Sequence, residues 1–252
     1  LRHTTVADID LNDNGIKEVI VADTGEVTNW QSFVYVLEPQ SSRAFNLQKK
    51  FGVGNSGQTG GPRGAISVAN IYTSDDELEI VIPDTFGIYV YSYDNNQFTK
   101  IWNNTHTQII SSAIISDVDA DNEYELVYAT KDNDASLCSQ STCTKKLYVV
   151  NALTGAEEAS YSLAEYPVSD AVVGNLDSDA NLEIAIITSN TISATYGRLR
   201  IFNLASGSLS EIATFPTTDD MIVREKTAPD IFDIDNDGTN DITVRAPIGA
   251  HL

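Results

Sequence analysis

The sequence has little positive charge and no long apolar run. Lys and Arg number 15 against 36 Asp and Glu, so the formal net charge is −21. Nucleic-acid binding needs a basic footprint, and the same negative charge opposes adsorption to anionic lipid, so no nucleic-acid partner is expected. Because no apolar run in the sequence reaches about 18 residues, no membrane insertion by this segment is expected either.

The usual sequence marks of an enzyme are also missing. The three histidines lie far apart. There is no nucleophile elbow, no HExxH zinc motif and no glycine loop that leads into a helix. Segments longer than about ten residues that keep the 3.6-residue apolar period of an amphipathic helix are absent as well. These absences favour an all-β chain that binds rather than catalyses.

Cysteine is scarce, and its placement points to the cell exterior. Cys138 and Cys143 are the only two cysteines, and they lie in one polar stretch. They predict a disulfide that closes a short loop, with two free thiols or half of a metal site as alternatives. A disulfide is typical of an oxidising compartment, and Asn103 begins an N-glycosylation sequon. We therefore expect an extracellular or cell-surface location.

What the sequence does contain is an internal repeat. Five segments share an apolar strand, an acidic turn, a closing acid and a β-branched run; they are 6–23, 68–84, 114–130, 172–188 and 231–247. The closing acids are Glu18, Glu79, Glu125, Glu183 and Asp241. A hairpin pattern lies between successive segments, so each period supplies four short strands, which is the signature of a propeller blade.

The repeat predicts the fold and its boundaries. We expect an all-β, single-domain β-propeller of four-stranded blades over residues 1–252. Four full blades are predicted at about 4–62, 63–108, 109–166 and 167–220, followed by a partial blade at 221–252. Propellers usually have four to eight blades and close by joining the first and last, so we expect this segment to be part of a larger propeller. A closed ring with an irregular final blade is the alternative.

The acidic loops predict cation sites. In the fifth segment, Asp233, Asp235, Asp237 and Asp241 occupy loop positions 1, 3, 5 and 9, with Gly238 at position 6. Alternate carboxylates in a tight loop converge on one point, and Ca²⁺ takes six to eight hard oxygen ligands, whereas Mg²⁺ demands a stricter octahedron. An EF-hand would close at position 12 between helices, so these loops are of another type.

Three other loops fit the same spacing, and one does not. The predicted ligands are Asp117, Asp119, Asp121 and Glu125 in the third loop, Asn175, Asp177, Asp179 and Glu183 in the fourth, and Asp10, Asn12, Asn14 and Glu18 in the first. Asp8 offers a competing register in the first loop. The second loop has Tyr72, Thr73 and Ser74 where carboxylates should be, so it is predicted to lack metal. Three to four Ca²⁺ ions are therefore expected.

These loops and their strands resemble the FG-GAP/VCBS repeats found in integrin α-chain heads and in many microbial surface proteins. The resemblance implies a calcium-binding propeller of about seven or eight blades that binds ligands through loops at one face. It implies an adhesion or binding module for a protein or a glycan. Two alternatives stay open: a structural subunit of a surface filament or envelope layer, which would bind copies of itself, and a propeller enzyme of the polysaccharide-lyase type.

Overall fold

The computed structural model of the chain is all-β. It describes residues 3–7, 9, 15–23, 32–40, 44–53, 61, 64–72, 74, 77–85, 87–94, 97–105, 111–130, 145–177, 179–190, 196–217, 221–222 and 228–244. Within those ranges there are 20 strands and no helix, so none is long and apolar enough to cross a membrane. The predicted all-β class is confirmed.

Three sheets each contain four consecutive strands in antiparallel order. The first contains β1 (His3–Ala7), β2 (Glu18–Asp23), β3 (Ser32–Pro39) and β4 (Phe45–Val53). The second contains β5 (Ser67–Ala69), β6 (Glu79–Asp84), β7 (Gly87–Asp94) and β8 (Gln97–Thr105). The third contains β9 (Ile114–Ser116), β10 (Glu125–Thr130), β11 (Lys146–Asn151) and β12 (Glu157–Ser162).

The fourth sheet repeats this order with two short additions. Its strands are β13 (Tyr166–Pro167), β14 (Val172–Gly174), β15 (Glu183–Ser189), β16 (Tyr196–Ala205), β17 (Ser208–Phe215) and β18 (Met221–Ile222). Strands β14 to β17 pair consecutively, whereas β13 pairs with the end of β15 and β18 with the start of β16. The fifth sheet has two strands in the described part of the chain, β19 (Asp230–Phe232) and β20 (Asp241–Thr243).

The second strand of each four-stranded sheet forms its buried centre. Strands β6, β10 and β15 are buried at every residue, and they read as continuous apolar runs that follow one acid. The fourth strands β4, β8, β12 and β17 are mostly half-buried or exposed. A run that is apolar at successive positions covers both faces of a sheet, so it predicts a central strand between two layers.

Contacts divide the chain into two compact units, residues 1–113 with 153–155, and residues 114–152 with 156–252. In the first unit, Ile20 and Ala22 of β2 share a core with Ile80 and Ile82 of β6. One strand residue therefore faces the next sheet and its neighbour faces away, as the two-residue period of a strand requires. In the core between two consecutive sheets, the earlier sheet contributes the side chains two and four residues after its closing acid. The later sheet contributes the side chains one and three residues after its own closing acid.

The second unit follows the same rule twice. Val127 and Ala129 of β10 share a core with Ile184 and Ile186 of β15. The other face of β15 shares a second core with the fifth sheet, through Ala185, Ile187, Ile231, Ile242 and Val244. Consecutive sheets within a unit thus pack face to face in chain order. The single-domain assignment, the blade boundaries and the propeller closure remain predictions.

Candidate metal centres

Each closing acid predicted from the repeat is the first residue of the second strand in its sheet. Glu18, Glu79, Glu125 and Glu183 begin β2, β6, β10 and β15, and all four are fully buried. Asp241 begins β20 and is exposed. The residues after each acid form the strand that lies in the core. The acid itself lies where the loop ends and the strand begins, so the loop can fold over it.

One backbone hydrogen bond closes every loop onto its acid. In the third, fourth and fifth loops the amide at loop position 2 donates to the closing carboxylate; the donors are Val118 (2.6 Å), Leu176 (2.7 Å) and Ile234 (3.1 Å). In the first and second loops the equivalent donors are Ile9 (3.1 Å) and Ile71 (2.7 Å). This bond fixes one carboxylate oxygen, so the second oxygen is oriented by the same contact.

Three groups of carboxylates converge beside this bond, and we call them the carboxylate triads. Each triad offers three carboxylate oxygens that all lie within 4.8 Å of one another. The members are Asp117, Asp119 and Glu125; Asp177, Asp179 and Glu183; and Asp233, Asp235 and Asp241. Nine of the sequence-predicted ligands are therefore brought together, three each in the third, fourth and fifth loops.

The triad of the third loop contains buried oxygens that have no hydrogen-bond partner among the described residues. They are Glu125 Oε1 and Asp119 Oδ1; Glu183 Oε1, in the triad of the fourth loop, is in the same state. Burying an anionic oxygen without a partner costs several kcal/mol, roughly, and placing it beside other carboxylates costs more. A divalent cation removes both penalties. The hard oxygen donors of the triads fit Ca²⁺.

The raised pKa values in the triad of the third loop have the same cause, the burial of carboxylates close to one another. Burial raises the pKa of Glu125 to about 8, against the Val118 amide, which lowers it, and the charges of Glu158, Asp119 and Asp121 raise it further. Burial and the charge of Asp121 also raise the pKa of Asp119. Without a cation, the Glu125 carboxyl therefore keeps its proton at neutral pH. With a cation, the carboxylates would ionise and bind it.

Backbone geometry explains why the loops can turn so tightly. In the third loop, Asp117 accepts hydrogen bonds from the amides of Asp121 and Asn122, each at 3.1 Å. In the fifth, Asp233 accepts from the amides of Asp237 (3.1 Å) and Gly238 (2.8 Å). The residue at position 6 adopts a left-handed φ, 73° for Asn122 and 92° for Gly238, a conformation that Gly and Asn tolerate best.

In these three loops, three predicted ligands lie outside the triads. Asp121 and Asp237, at loop position 5, use one oxygen to accept the amide two residues later, at 2.7 and 2.8 Å. In the fourth loop the position-5 residue Asp179 belongs to the triad, whereas Asn175 at position 1 donates to the backbone carbonyl of Asp179 at 2.7 Å. The sequence spacing therefore predicts the loop correctly, but not which oxygens converge in the absence of a cation.

The first loop shows why its register was ambiguous. Ile9 donates to Glu18 as Val118 does to Glu125, and in the sequence Asp8, which lies outside the described residues, precedes Ile9 as Asp117 precedes Val118. Gly15 nevertheless has a left-handed φ of 66° three residues before the closing acid, as Asn122 has. Both ends match only if this loop has two extra residues between these points. Asp10, Asn12 and Asn14 lie outside the described residues, and their role as ligands stays a prediction.

Other predicted sites have simpler outcomes. In the second loop, Glu79 accepts the amides of Ile71 and Tyr72, and its lack of metal stays a prediction. Asn103 is exposed on β8 and accepts a hydrogen bond from Lys100 at 2.9 Å, so its glycosylation also stays a prediction. Cys138 and Cys143 lie outside the described residues.

The sequence did not predict that one further acid acts electrostatically on the carboxylates of the third loop. Glu158, on β12, forms a side-chain hydrogen bond with Asn151, and burial together with the charges of Asp119, Asp121 and Glu123 raises its pKa. Asn151 also donates to Glu123 at 2.8 Å. Glu158 is 33 positions from Glu125 in the sequence, so its electrostatic effect on the loop follows from the pairing of β10, β11 and β12.

Comparison with known proteins gives similarity at the level of the fold. No family model matches the sequence, and no curated protein matches it significantly. Among solved structures, a rhamnogalacturonan lyase of Bacillus licheniformis is similar over 87% of this chain and 49% of its own, with 17% identity and a TM-score of 0.52. A second rhamnogalacturonan lyase, YesW, matches over 96% and 57%, with 13% identity and a TM-score of 0.50.

A third similar structure has a different described role. The biofilm matrix protein of V. cholerae is similar over 80% of this chain and 26% of its own, with 19% identity and a TM-score of 0.50. The chain thus spans between about a quarter and three fifths of the lengths of these structures. At such low identity the likeness extends to the fold, not to the chemistry of any site.

Proposed function

We propose that this chain is a calcium-stabilised β-propeller segment of the FG-GAP/VCBS type that acts as an extracellular binding module for a protein or glycan. The observation that carries the proposal is that three carboxylates converge in the loop before the closing acid in three successive sheets. Two of these triads contain a fully buried glutamate whose outer oxygen has no hydrogen-bond partner in the described structure. The shared arrangement supports one common role for the three loops, and hard carboxylate oxygens favour a Ca²⁺ ion in that role.

The propeller assignment is supported by how the sheets are built. Each four-stranded sheet uses consecutive strands, and consecutive sheets within each unit pack face to face with one repeated rule for the central strands. Radial repetition of such sheets is how propellers protect their edges. The binding role is supported by the loops: rigid sheets that hold loops in place are a common scaffold for recognition.

Calcium would act on stability rather than on chemistry. Extracellular calcium modules bind with a Kd of about 10⁻⁴–10⁻³ M. At millimolar Ca²⁺, the tight end of that range stabilises each site by roughly 1–2 kcal/mol through linkage. Three triads would then contribute about 3–6 kcal/mol, a large share of a typical domain stability of about 5–15 kcal/mol. Three divalent ions would also offset part of the net charge of −21.

Native mass spectrometry of the full chain, with and without EDTA, tests this proposal. Three or four Ca²⁺ ions are expected, and Asp119→Asn, Asp177→Asn and Asp235→Asn should each remove one. Calorimetry should show a lower Tm in EDTA. An unchanged ion count and unchanged Tm after chelation would refute the calcium role and reopen the propeller assignment.

A lyase activity is the second candidate, because two of the similar structures are rhamnogalacturonan lyases. It is tested by incubating the full chain with rhamnogalacturonan and following the release of an unsaturated uronate. A product would make the chain an enzyme. Binding of the polysaccharide without product would support the binding module instead.

A matrix role in which the chain binds copies of itself is supported by the similarity to a biofilm matrix protein. Calcium-dependent self-association, measured by analytical ultracentrifugation, would favour this role over recognition of a separate ligand.

A further inference from the structure

The third loop is hydrogen-bonded to the fourth through the main chain, and both belong to the second unit. The backbone amide of Leu182 donates to the carbonyl of Val118 at 2.8 Å. Leu182 directly precedes the closing acid Glu183, and the amide of Val118 donates to its own closing acid Glu125 at 2.6 Å. The side chain of Val118 also lies in one core with Ile184. Val118 is therefore attached to the closing acid of its own loop and to the residues on both sides of the next closing acid.

The fourth loop is joined to the fifth at the equivalent place. Asn240 directly precedes the closing acid Asp241, and its side-chain amide donates to the carbonyl of Asn175 at 2.7 Å. That carbonyl belongs to the peptide group whose N–H, on Leu176, donates to the closing acid Glu183 at 2.7 Å. Hydrogen bonds connected in this way polarise and strengthen one another. Each link therefore connects the residue before one closing acid to position 1 or 2 of the preceding loop.

These links make the order of one loop depend on the order of its neighbour. A loop must hold its carboxylates together to bind a cation, and ordering the chain costs conformational free energy. Glu125 and Glu183 are fully buried, and their Oε1 atoms have no hydrogen-bond partner in the described structure, so a cation is the group that would fix both loops. When one loop is already fixed, its neighbour needs less ordering, and this gives positive cooperativity. Asp241 is exposed, so the fifth loop has the least support from a core of its own.

We propose that the third, fourth and fifth loops bind Ca²⁺ cooperatively, through the hydrogen bonds from Leu182 to Val118 and from Asn240 to Asn175. This inference rests on the proposed calcium role. An ion in one loop should raise the affinity of the neighbouring loop by about fivefold or more, and the effect is reciprocal. The three ions would then bind over a narrower range of calcium concentration than three independent ions, so the sheets would gain their calcium-dependent stability together.

A double-mutant cycle on the fourth and fifth loops of the full chain measures this coupling. Every chain carries Asp119→Asn, which empties the third loop. Calcium titration by calorimetry is run on this chain alone, with Asp177→Asn, with Asp235→Asn and with both. The chain with both substitutions reports the ions bound elsewhere. The coupling factor is the affinity of the fifth loop when the fourth can bind, divided by its affinity when the fourth is emptied.

The cycle is repeated with Asn240→Ala, which removes the link between the two loops. Asn240 is exposed, so the substitution leaves no cavity. Thr239→Ala is the matched control, because Thr239 is the exposed neighbour and its backbone amide keeps its 2.8 Å bond to Asp237. The coupling factor is expected to be about five or more in the parent cycle and with Thr239→Ala, and close to one with Asn240→Ala.

A merely structural role of Asn240 gives a different result. It would weaken the fifth loop equally whether the fourth is occupied or empty, and the coupling factor would not change. If calcium binds but the factor is close to one in the parent cycle, or is unchanged by Asn240→Ala, this inference is overturned and the proposed function stands. If the parent chain binds no calcium, the proposed function fails as well.

Discussion

The substitution Glu125→Gln tests how the buried carboxylate of the third loop affects stability when no calcium is bound. The pKa of this carboxyl rises from its ordinary 4.5 to about 8 in the folded chain, with burial as the largest cause. The folded state then retains a proton that the unfolded state loses, so stability falls as the pH rises from about 4.5 to about 8. At about 1.36 kcal/mol for each pKa unit, the full penalty reaches about 5 kcal/mol near pH 8.

Glutamine has the same shape and no charge to bury. Its carbonyl can accept the Val118 amide, as Glu125 Oε2 does at 2.6 Å, and its amide can donate to the neighbouring carboxylates. In EDTA, Glu125→Gln should therefore match the parent near pH 4.5 and exceed its stability increasingly up to pH 8. At roughly 2–4 °C for each kcal/mol, the Tm difference grows to about 10 °C or more. In millimolar calcium the order should reverse, because the variant loses the ion.

The assay is differential scanning calorimetry at pH 5, 6, 7 and 8, each in EDTA and in calcium. Glu123→Gln is the matched control, because Glu123 belongs to the same loop, is exposed and accepts a hydrogen bond from the side-chain amide of Asn151. The effect of this substitution on the free energy of unfolding should stay below about 1 kcal/mol. A Tm difference between Glu125→Gln and the parent that does not change with pH in EDTA would refute the reasoning.

Two further predictions concern contacts away from the loops. Arg200→Met should destabilise the chain by about 1.5–3 kcal/mol, because Glu165 loses its 3.0 Å ion pair with Arg200 but keeps Arg198 at 3.3 Å. Burial acts to raise the pKa of Glu165, but bonds from Thr188 and Arg200 outweigh it and lower the pKa. In the parent, the stabilisation by ionised Glu165 should therefore be lost as the pH falls from 4.5 through the lowered pKa. The variant lacks most of this stabilisation, so urea unfolding at pH 3 and 7 should show a smaller loss of stability in acid. Gly155→Ala should cost about 1–3 kcal/mol more than Gly207→Ala, since both have φ of 71° but only the first adds a Cβ that lies 2.7 Å from the ring of Trp102; equal thermal shifts would contradict the clash.

The loops were predictable because their chemistry is local. The closing bond between Val118 and Glu125 spans seven residues, and the turn bonds of Asp117 span four and five. A spacing of acids within nine residues therefore contains most of the information about the loop. The exception is position 5. Asp121 lies outside its triad and Asp179 belongs to its own, although each accepts the amide two residues later, so spacing alone does not resolve which oxygens converge.

The sheets were predictable for a similar reason, and the contacts between their outer strands were not. Alternating and continuous apolar runs specify edge and central strands, since burial on one or both faces follows from a two-residue period. The bulge that leaves Glu158 as the extra residue of β12 depends on how β12 pairs with β11. The sequence of β12 alone contains no mark of that register.

By itself, the sequence determined the all-β class, the four-strand repeat and the placement of a closing acid at the start of each central strand. These features depend on neighbours within one repeat, where chain connectivity already limits the choices. Only the tertiary structure decided which carboxylate oxygens converge, that the first loop has two extra residues, and that β12 bulges at Glu158 where it pairs with β11. Those outcomes depend on strand register and on burial, which are fixed only when segments far apart in the chain pack together.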